Sequence, residues 1–417
     1  MKNNCESCEL LGSESCGLAG SEGCENLNRD SCGSCDIGQI VPGPEIETPD
    51  NRVIFTKQMK EEYTILVPTM LPFHFRLFLE IFRKAGYKCE MLENEGRSAV
   101  DCGVKYVHND ACYPAICVIG QFIEALQSGK YDVDKVALIY MQTGGGCRAS
   151  NYVSLLRKAL ERAGFPQVPV VTINFAGLEK HPGFKLSLPM LPGMMYSCLY
   201  GDLLMTLRNQ CRVREINKGQ TDAMVEKWLG ICAAHLRKKF VPYREVKRNM
   251  HEMVKDFATI ERSEEEPVKV GIVGEIYVKY AALGNNNLEE FLYNEGAEAV
   301  VPGLLDFLYY CAYNMSLDWE IYGMGSARPG VLRLVCKYFE DKKDDLNAAV
   351  ASAGVFKAFS SYEDLVNLQR EQKCVGLGMK MGEGWLLTTE MLELCELGVS
   401  NIICTQPFGC LPNHIVG

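Results

Sequence analysis

The residues of this sequence best suited to chemistry are cysteines, of which its 417 residues hold 20. Three of them stand on distinctive loops. Cys147 ends the run Gln142-Thr143-Gly144-Gly145-Gly146-Cys147-Arg148, directly after residues 136–140, an apolar stretch that reads as a buried strand. Cys112 lies in Asn109-Asp110-Ala111-Cys112-Tyr113-Pro114, which runs into a helical pattern. Cys410 lies in Thr405-Gln406-Pro407-Phe408-Gly409-Cys410, after the apolar pair Ile402-Ile403. The glycines before Cys147 let the backbone approach a bulky ligand closely. The carboxyl ends of strands are also where open α/β sheets bind ligands. Cys112, Cys147 and Cys410 are therefore expected to converge on one metal centre.

Cysteine thiolates are the usual holders of iron–sulfur clusters, and a metal or a helix N-terminus stabilises the anionic sulfur. Cys112 and Cys147 each precede a predicted helix. A 4Fe–4S cluster takes four cysteines, so Cys374, beside Gly376-Leu377-Gly378, and Cys102 are further ligand candidates. Cys117, at i+5 from Cys112, is expected to point elsewhere. An iron lacking a fourth cysteine would keep a position for substrate or water, as catalytic metal sites do. Arg148, Glu275 and Glu383 are the catalytic candidates. Arg148 could hold a carboxylate or a substrate anion, or be an ordinary surface arginine. Glu275, Glu383 and Asn413 could face the pocket or cap helices, as could Asn109, Asp110, Gln142 and Thr143 in the first two loops. Asn286 reads as a cap for the helix beginning at Leu288. Two other chemistries remain open: a structural zinc site, which favours closely paired cysteines, and a Cys/His nucleophile using His108 or His414.

The remaining cysteines divide into two groups. Cys198, Cys232, Cys311, Cys336 and Cys395 lie in helix-like apolar contexts and read as small core hydrophobes. Cys5, Cys8, Cys16, Cys24, Cys32 and Cys35 lie in a Gly-, Ser- and Glu-rich start without hydrophobic periodicity. There the pairs Cys5/Cys8 and Cys32/Cys35 have CxxC spacing suited to a second metal, although a tail with scattered thiols fits the composition equally. No apolar leader precedes these residues, so the expected compartment is the cytoplasm, where cysteines serve metals, redox chemistry or packing rather than disulfides. The net charge of -10 argues against a nucleic-acid partner. No run of about 18 uninterrupted apolar residues suggests a membrane span.

Four segments follow from the pattern: a Cys-rich tail and linker over 1–50, a first α/β domain over 51–190, a helical connection over 191–265 and a second α/β domain over 266–417. Strands are expected at 63–67, 87–92, 135–140 and 168–173, with helices over 73–85, 114–127 and 152–163. Residues 190–213, 221–239 and 244–260 read as helices. The second unit starts with a strand at 268–275 and includes a helix over 288–294 and a strand over 298–301. Longer helices follow, then a helix over 385–397 and a last strand over 399–404. This alternation predicts two Rossmann-like parallel-sheet domains joined by a helical layer. The Gly271-Ile272-Val273-Gly274 spacing is a weak dinucleotide fingerprint, because a third glycine and a helix start are not evident.

The motifs NDACYPA, GGGCRASNY, GEIYV with NNNLEEFL, GEGWLLTTEM and QPFGCLPNHIVG together resemble the 2-hydroxyacyl-CoA dehydratase-related family over about residues 50–417. They are closest to the C-terminal module of acyl-CoA dehydratase activase-related proteins. The resemblance implies Rossmann-like domains with an iron–sulfur cluster between them, either 4Fe–4S or a double-cubane 8Fe–9S form, held here by Cys112, Cys147 and Cys410. It also implies electron delivery by a separate ATP-hydrolysing activator of actin-like fold, and assembly as a homo- or heterodimer. In true dehydratases the electron makes a ketyl radical on a 2-hydroxyacyl-CoA, which then loses water. No ATPase module is fused to this chain, and the family pattern continues past Gly417, which implies a shortened chain with an open sheet edge. Three functions are thus expected in turn: an ATP-coupled iron–sulfur reductase of a small molecule, a 2-hydroxyacyl-CoA dehydratase component, and a non-enzymatic cluster- or zinc-binding scaffold. No basic patch for the CoA diphosphate stands out, beyond Lys57, Lys60 and Arg76.

Overall fold

Short apolar runs between helical segments form two small parallel sheets in the computed structural model, which describes residues 52–108, 110–142, 146–173, 179–325 and 327–417. The cysteine-rich start, including Cys5, Cys8, Cys32 and Cys35, lies outside the described residues, as do Asn109 and Thr143. The first part of the described chain runs α1 Lys57–Glu62, β1 Thr64–Val67, α2 Pro72–Lys84, β2 Lys88–Met91, α3 Arg97–Tyr106, α4 Tyr113–Gln127, β3 Val136–Met141, α5 Tyr152–Ala163 and β4 Val170–Ile173. Three helices follow, α6 Leu191–Arg212, α7 Gln220–Arg237 and α8 Tyr243–Ala258. The second sheet and its helices comprise β5 Lys269–Gly274, α9 Ile276–Tyr280, α10 Ala282–Asn285, α11 Leu288–Asn294, β6 Glu298–Val300, α12 Leu304–Tyr322, α13 Pro329–Ala351, α14 Tyr362–Gln372, α15 Gly384–Glu396, β7 Asn401–Thr405 and α16 Leu411–Val416.

The strand orders are β2-β1-β3-β4 and β6-β5-β7, all parallel. Central strands such as β3, buried from Val136 to Tyr140, read as unbroken apolar runs because helices cover both faces. Chain order reverses between β1 and β3 in one sheet and between β5 and β7 in the other. At such a reversal the connections leave toward opposite faces and open a crevice at the carboxyl ends of the strands. Cys147 follows β3, Glu275 follows β5 and Cys410 follows β7.

Helices α6 and α7 pack on α2 from the first sheet, while α12 packs on α6 and α13 on α8. Asp202 of α6 is at the junction. His74 Nε2 of α2 lies 2.7 Å from Asp202 Oδ1, and the N–H groups of Leu304 and Leu305 donate to the two oxygens at 2.8 and 3.0 Å. The start of α12 thus supplies two otherwise orphaned donors. Gly303 is required beside it, since a Cβ there would stand 2.6 Å from Asp202 Oδ2.

The α3–α4 crossing is equally close: a Cβ on Gly120 would fall inside the Ala99 carbonyl, and one on Gly103 inside that of Ile116. Helix α3 was not expected from the sequence. Its buried residues are only Ala99 and Gly103, so no stripe of large apolar side chains marks it.

Several expectations need correction. Cys198, Cys232 and Cys336 are buried, but Cys311 and Cys395 are exposed, because the buried faces of α12 and α15 pass through neighbouring positions. Asn286 does not cap α11. It adopts φ 55°, and Asn285 Oδ1 instead accepts from the Leu288 N–H. A helix does begin after the Gly271–Gly274 stretch, with Glu275 as its cap. It is five residues long, and Gly274 (φ 134°) lies against the Thr405 carbonyl rather than leaving room for a phosphate. No helix among the described residues is long and apolar enough to cross a membrane.

Two stability outcomes follow. Burial raises the Asp202 carboxyl pKa, but the His74 hydrogen bond and charge and the two backbone donors outweigh it and hold the pKa below the ordinary value. Its stabilisation is therefore complete above the carboxyl pKa of the unfolded chain and is lost as pH falls through the depressed folded value. Asp202→Ala should cost about 3 kcal/mol at neutral pH, read by urea unfolding, with the gap to the parent narrowing in acid. Gly120→Ala should cost about 2 kcal/mol through overpacking of α3 on α4, read by the same unfolding measurement.

Candidate metal centre

Each of the three cysteines occupies the N-cap of a helical turn. Cys112 caps α4, Cys147 caps the 3-10 turn Arg148–Asn151, and Cys410 caps α16. These caps place the sulfurs beside free backbone N–H groups. The Ala149 N–H points at Cys147 Sγ at 3.3 Å, and Asn413 Nδ2 donates to Cys410 Sγ at 3.1 Å. Cys112 Sγ is 2.8 Å from the Tyr152 hydroxyl, and the Tyr152 ring stacks on Tyr140 at 5.2 Å.

The loops that carry these caps meet across the two sheets. The Tyr113 N–H donates to the Phe408 carbonyl at 2.9 Å, and a Cβ on Gly409 would lie 3.2 Å from Cys112 Cα. The backbones beside Cys112 and Cys410 are therefore in direct contact. Gly146, next to Cys147, faces Met381, with the sulfur 2.8 Å from where a Cβ would stand. Gly382 in turn lies against Pro412, so the loop before α15 closes the ring of segments. Among the described residues, however, no three His, Cys, Asp or Glu side chains already surround a point that would hold an ion. The three loops are brought together, while their sulfurs are turned to separate neighbours.

Burial raises the thiol pKa of Cys112 against the opposing Tyr152 and Ala115 hydrogen bonds, and pushes Cys410 up to about 12. In both, desolvation of the anion outweighs the hydrogen bonds that would favour it. Cys117, expected to point elsewhere, is fully buried, and its titration is influenced by Tyr113, Glu275 and Cys112. One helical turn and a half after Cys112, it remains on the packed side of α4, whose buried residues run almost unbroken.

Two carboxyls lie close behind the thiols. Glu275 caps α9 through the Val278 N–H, and Glu383 accepts from the Ile276 N–H, both at 2.9 Å. Both are buried. Burial, then the neighbouring Glu383 charge, raises the Glu275 pKa, and burial does the same to Glu383. The buried ion pair of Lys279 with Glu390, at 2.9 Å, fastens α9 to α15 and so fixes the two carboxyls relative to each other.

The other candidates stand in different surroundings. Arg148 and Cys374 are exposed. Cys102 lies on α3 beside Gln127, roughly 20 Å along α4 from Cys112 by helical rise. His108 pairs with Asp110 at the surface and His414 is exposed, so neither is hydrogen-bonded to a thiol. Lys60 is committed to the Ala85 carbonyl and the Tyr87 ring, and Arg76 to Glu226. Sequence reading passed over Tyr140, Tyr152 and Tyr277. Only the Tyr at i+5 from Cys147, on the helix after its loop, could have hinted at Tyr152. No family model matches the chain, and no curated protein and no solved structure matches it.

Gly409 (φ 72°) lies where the Cys410 loop meets Cys112. Gly409→Ala should cost about 1 kcal/mol in backbone strain and speed alkylation of buried Cys112 by iodoacetamide severalfold, as followed by mass spectrometry. Unchanged labelling would mean that the loop does not shield that thiol.

Proposed function

We propose that this chain is an iron–sulfur protein that accepts low-potential electrons from a separate ATP-hydrolysing activator and reduces a small-molecule substrate in the cytoplasm. The reading rests on the meeting of the Cys112, Cys147 and Cys410 loops where chain order reverses in both sheets. It takes those sheets, with their helices, as Rossmann-like domains joined by the helices over 191–265. The activator and the cluster class come from the resemblance to 2-hydroxyacyl-CoA dehydratase-related proteins.

The donor set suits such a group. Three thiols are soft ligands, each backed by the N–H groups of a helical turn, two of them buried and Cys147 half-buried. Around them Asn413 Oδ1 and the hydroxyls of Tyr140 and Tyr277 are buried without a hydrogen-bond partner among the described residues. Cys112, Cys147 and Cys410 would be the ligands, each sulfur rotating about its Cα–Cβ bond away from its present neighbour. A bound cluster supplies one-electron transfer. The protein supplies the surroundings: Tyr152 and Asn413 orient two of the thiols, and the aromatic wall of Tyr140, Tyr152 and Tyr277 excludes water. The Glu275 and Glu383 pair retains a proton, because neither carboxyl ionises easily beside the other. Reduction of a substrate consumes protons as well as electrons, and this pair is the nearest buried store.

The same carboxyl pair gives a second reading some support. A proton from it could leave with hydroxide in a 2-hydroxyacyl-CoA dehydratase. The commitment of Lys60 and Arg76 to other partners weighs against a CoA diphosphate and leaves the reductase first.

The deciding experiment measures iron and acid-labile sulfide per chain, with low-temperature EPR, on protein purified without air. The parent should carry both elements and an EPR signal after reduction. Cys112→Ala and Cys410→Ala should each lose most of the iron while keeping the far-UV circular dichroism of the parent. A colourless protein holding zinc alone, or full iron in both variants, would overturn the reading. Given activator, ATP and reductant, water loss from a 2-hydroxyacyl-CoA would favour the dehydratase.

A further inference from the structure

A cleft of about 470 Å³ opens beside the first sheet, lined by none of the thiols or carboxyls of the candidate centre. Its walls come from the loops after β1 and β2, from α6 and α7, and from residues around α10 and α11. Its volume falls in the range of small-molecule sites. Met70, Phe73, Met91, Met205, Val225 and Tyr280 make the apolar part.

The polar lining separates into committed and spare groups. Glu226 is paired with Arg76, Asp222 with Arg208 and Arg212, and Glu290 with Arg212. Glu289 accepts from Asn209 Nδ2 at 3.0 Å. Glu93 and Glu95 also line the cleft, and neither side chain has a partner among the described residues. The third spare group is His74, fully buried, whose Nδ1 has no hydrogen-bond partner. Its Nε2 faces the Asp202 carboxylate. That acceptor requires the hydrogen on Nε2, which leaves Nδ1 as the one polar atom of the ring without a partner.

Two of the three spare groups are carboxyls, which accept hydrogen bonds and carry negative charge. The one arginine lining the cleft, Arg208, is already held by Asp222. From this arrangement we infer that the cleft binds a small primary amine with a short apolar tail. The ammonium group is met by Glu93 and Glu95, the tail lies on the methionine and aromatic wall, and His74 Nδ1 is the buried polar atom left for a further hydrogen bond to the ligand. A phosphate or carboxylate ligand would meet uncompensated negative charge. The inference stands apart from the metal centre and holds whether or not that centre carries iron.

The test is isothermal titration calorimetry on the full chain with phenethylamine, phenethyl alcohol and hydrocinnamate, three probes of similar shape but different charge. Phenethylamine should bind saturably with one site, at least about tenfold more tightly than either comparator, a difference of about 1.4 kcal/mol. The preference should shrink in Glu95→Gln and vanish in the Glu93→Gln, Glu95→Gln double variant, with unchanged thermal unfolding midpoints. The comparison among probes on the unaltered chain needs no variant and decides the matter if one misfolds. No saturable amine binding, hydrocinnamate binding as tightly as the amine, or a preference that survives the double change in a folded variant would each overturn the inference.

Discussion

The relation between the two sheets depends on one buried carboxylate. Asp202 sits on α6, takes its side-chain partner from α2 beside the first sheet, and takes two backbone donors from the start of α12 in the second half. A carboxylate this buried is costly to desolvate, and its cost is offset only when several donors reach it at good geometry. Those donors come from segments more than a hundred residues apart, so the ionised state and the packing of the halves stabilise one another. The neighbouring buried pair of Lys343 with Asp306, at 2.6 Å, repeats the arrangement between α13 and α12. The loops at the candidate centre inherit their positions from these fixed points, since each loop is anchored to a strand or helix of one half and meets its counterpart from the other.

Where those loops meet, the contact is made by backbone. Gly409 lies against Cys112 Cα, and the Phe408 carbonyl takes the Tyr113 N–H. Backbone contacts of this kind leave little room for an added side chain, but they leave the sulfurs beside them rotatable. The thiols experience two opposed influences. Helix N-termini favour the anion, and burial disfavours it. Burial prevails for Cys112 and Cys410. Bare thiols in this setting stay protonated, and a bound cation would have to supply the balance, with release of protons. The carboxyl pair behind them follows the same rule: burial raises both, and the Glu383 charge adds to it at Glu275.

Much of the strand and helix order was legible because the signals were local. Tyr152–Ala163 closes on Gly164 at φ 87°, and residues 136–140 read as a buried strand because they form an unbroken apolar run. What was not legible depended on close approach. Helix α3 is invisible to a search for apolar periodicity because its buried face is Ala99 and Gly103, and its meaning appears only when Gly120 is seen against it. Cys311 and Cys395 read as core because their neighbours are apolar, but a helix has an outer stripe even when its average is hydrophobic. At the candidate centre, the strand–loop–helix setting of Cys112, Cys147 and Cys410 was readable and so was the chance that Asn413 faces inward. The hydrogen bond from Tyr152 to Cys112 joins elements 40 residues apart, and no short-range pattern announces it.

Charge then separates the thiol loops from the cleft beside the first sheet. Near the thiols, the spare groups include hydroxyls of Tyr140 and Tyr277, which can donate, together with a proton-retaining carboxyl pair. In the cleft beside the first sheet, the spare groups include two carboxyls, and its arginine is spent on an internal ion pair. A single elongated anionic ligand would be favoured at neither end of the cleft, because nothing there compensates a phosphate. Tyr280 lines the cleft at the end of α9, the helix whose cap is Glu275 and whose Lys279 holds Glu390. The cleft and the proposed centre therefore border one short helix without sharing a ligand.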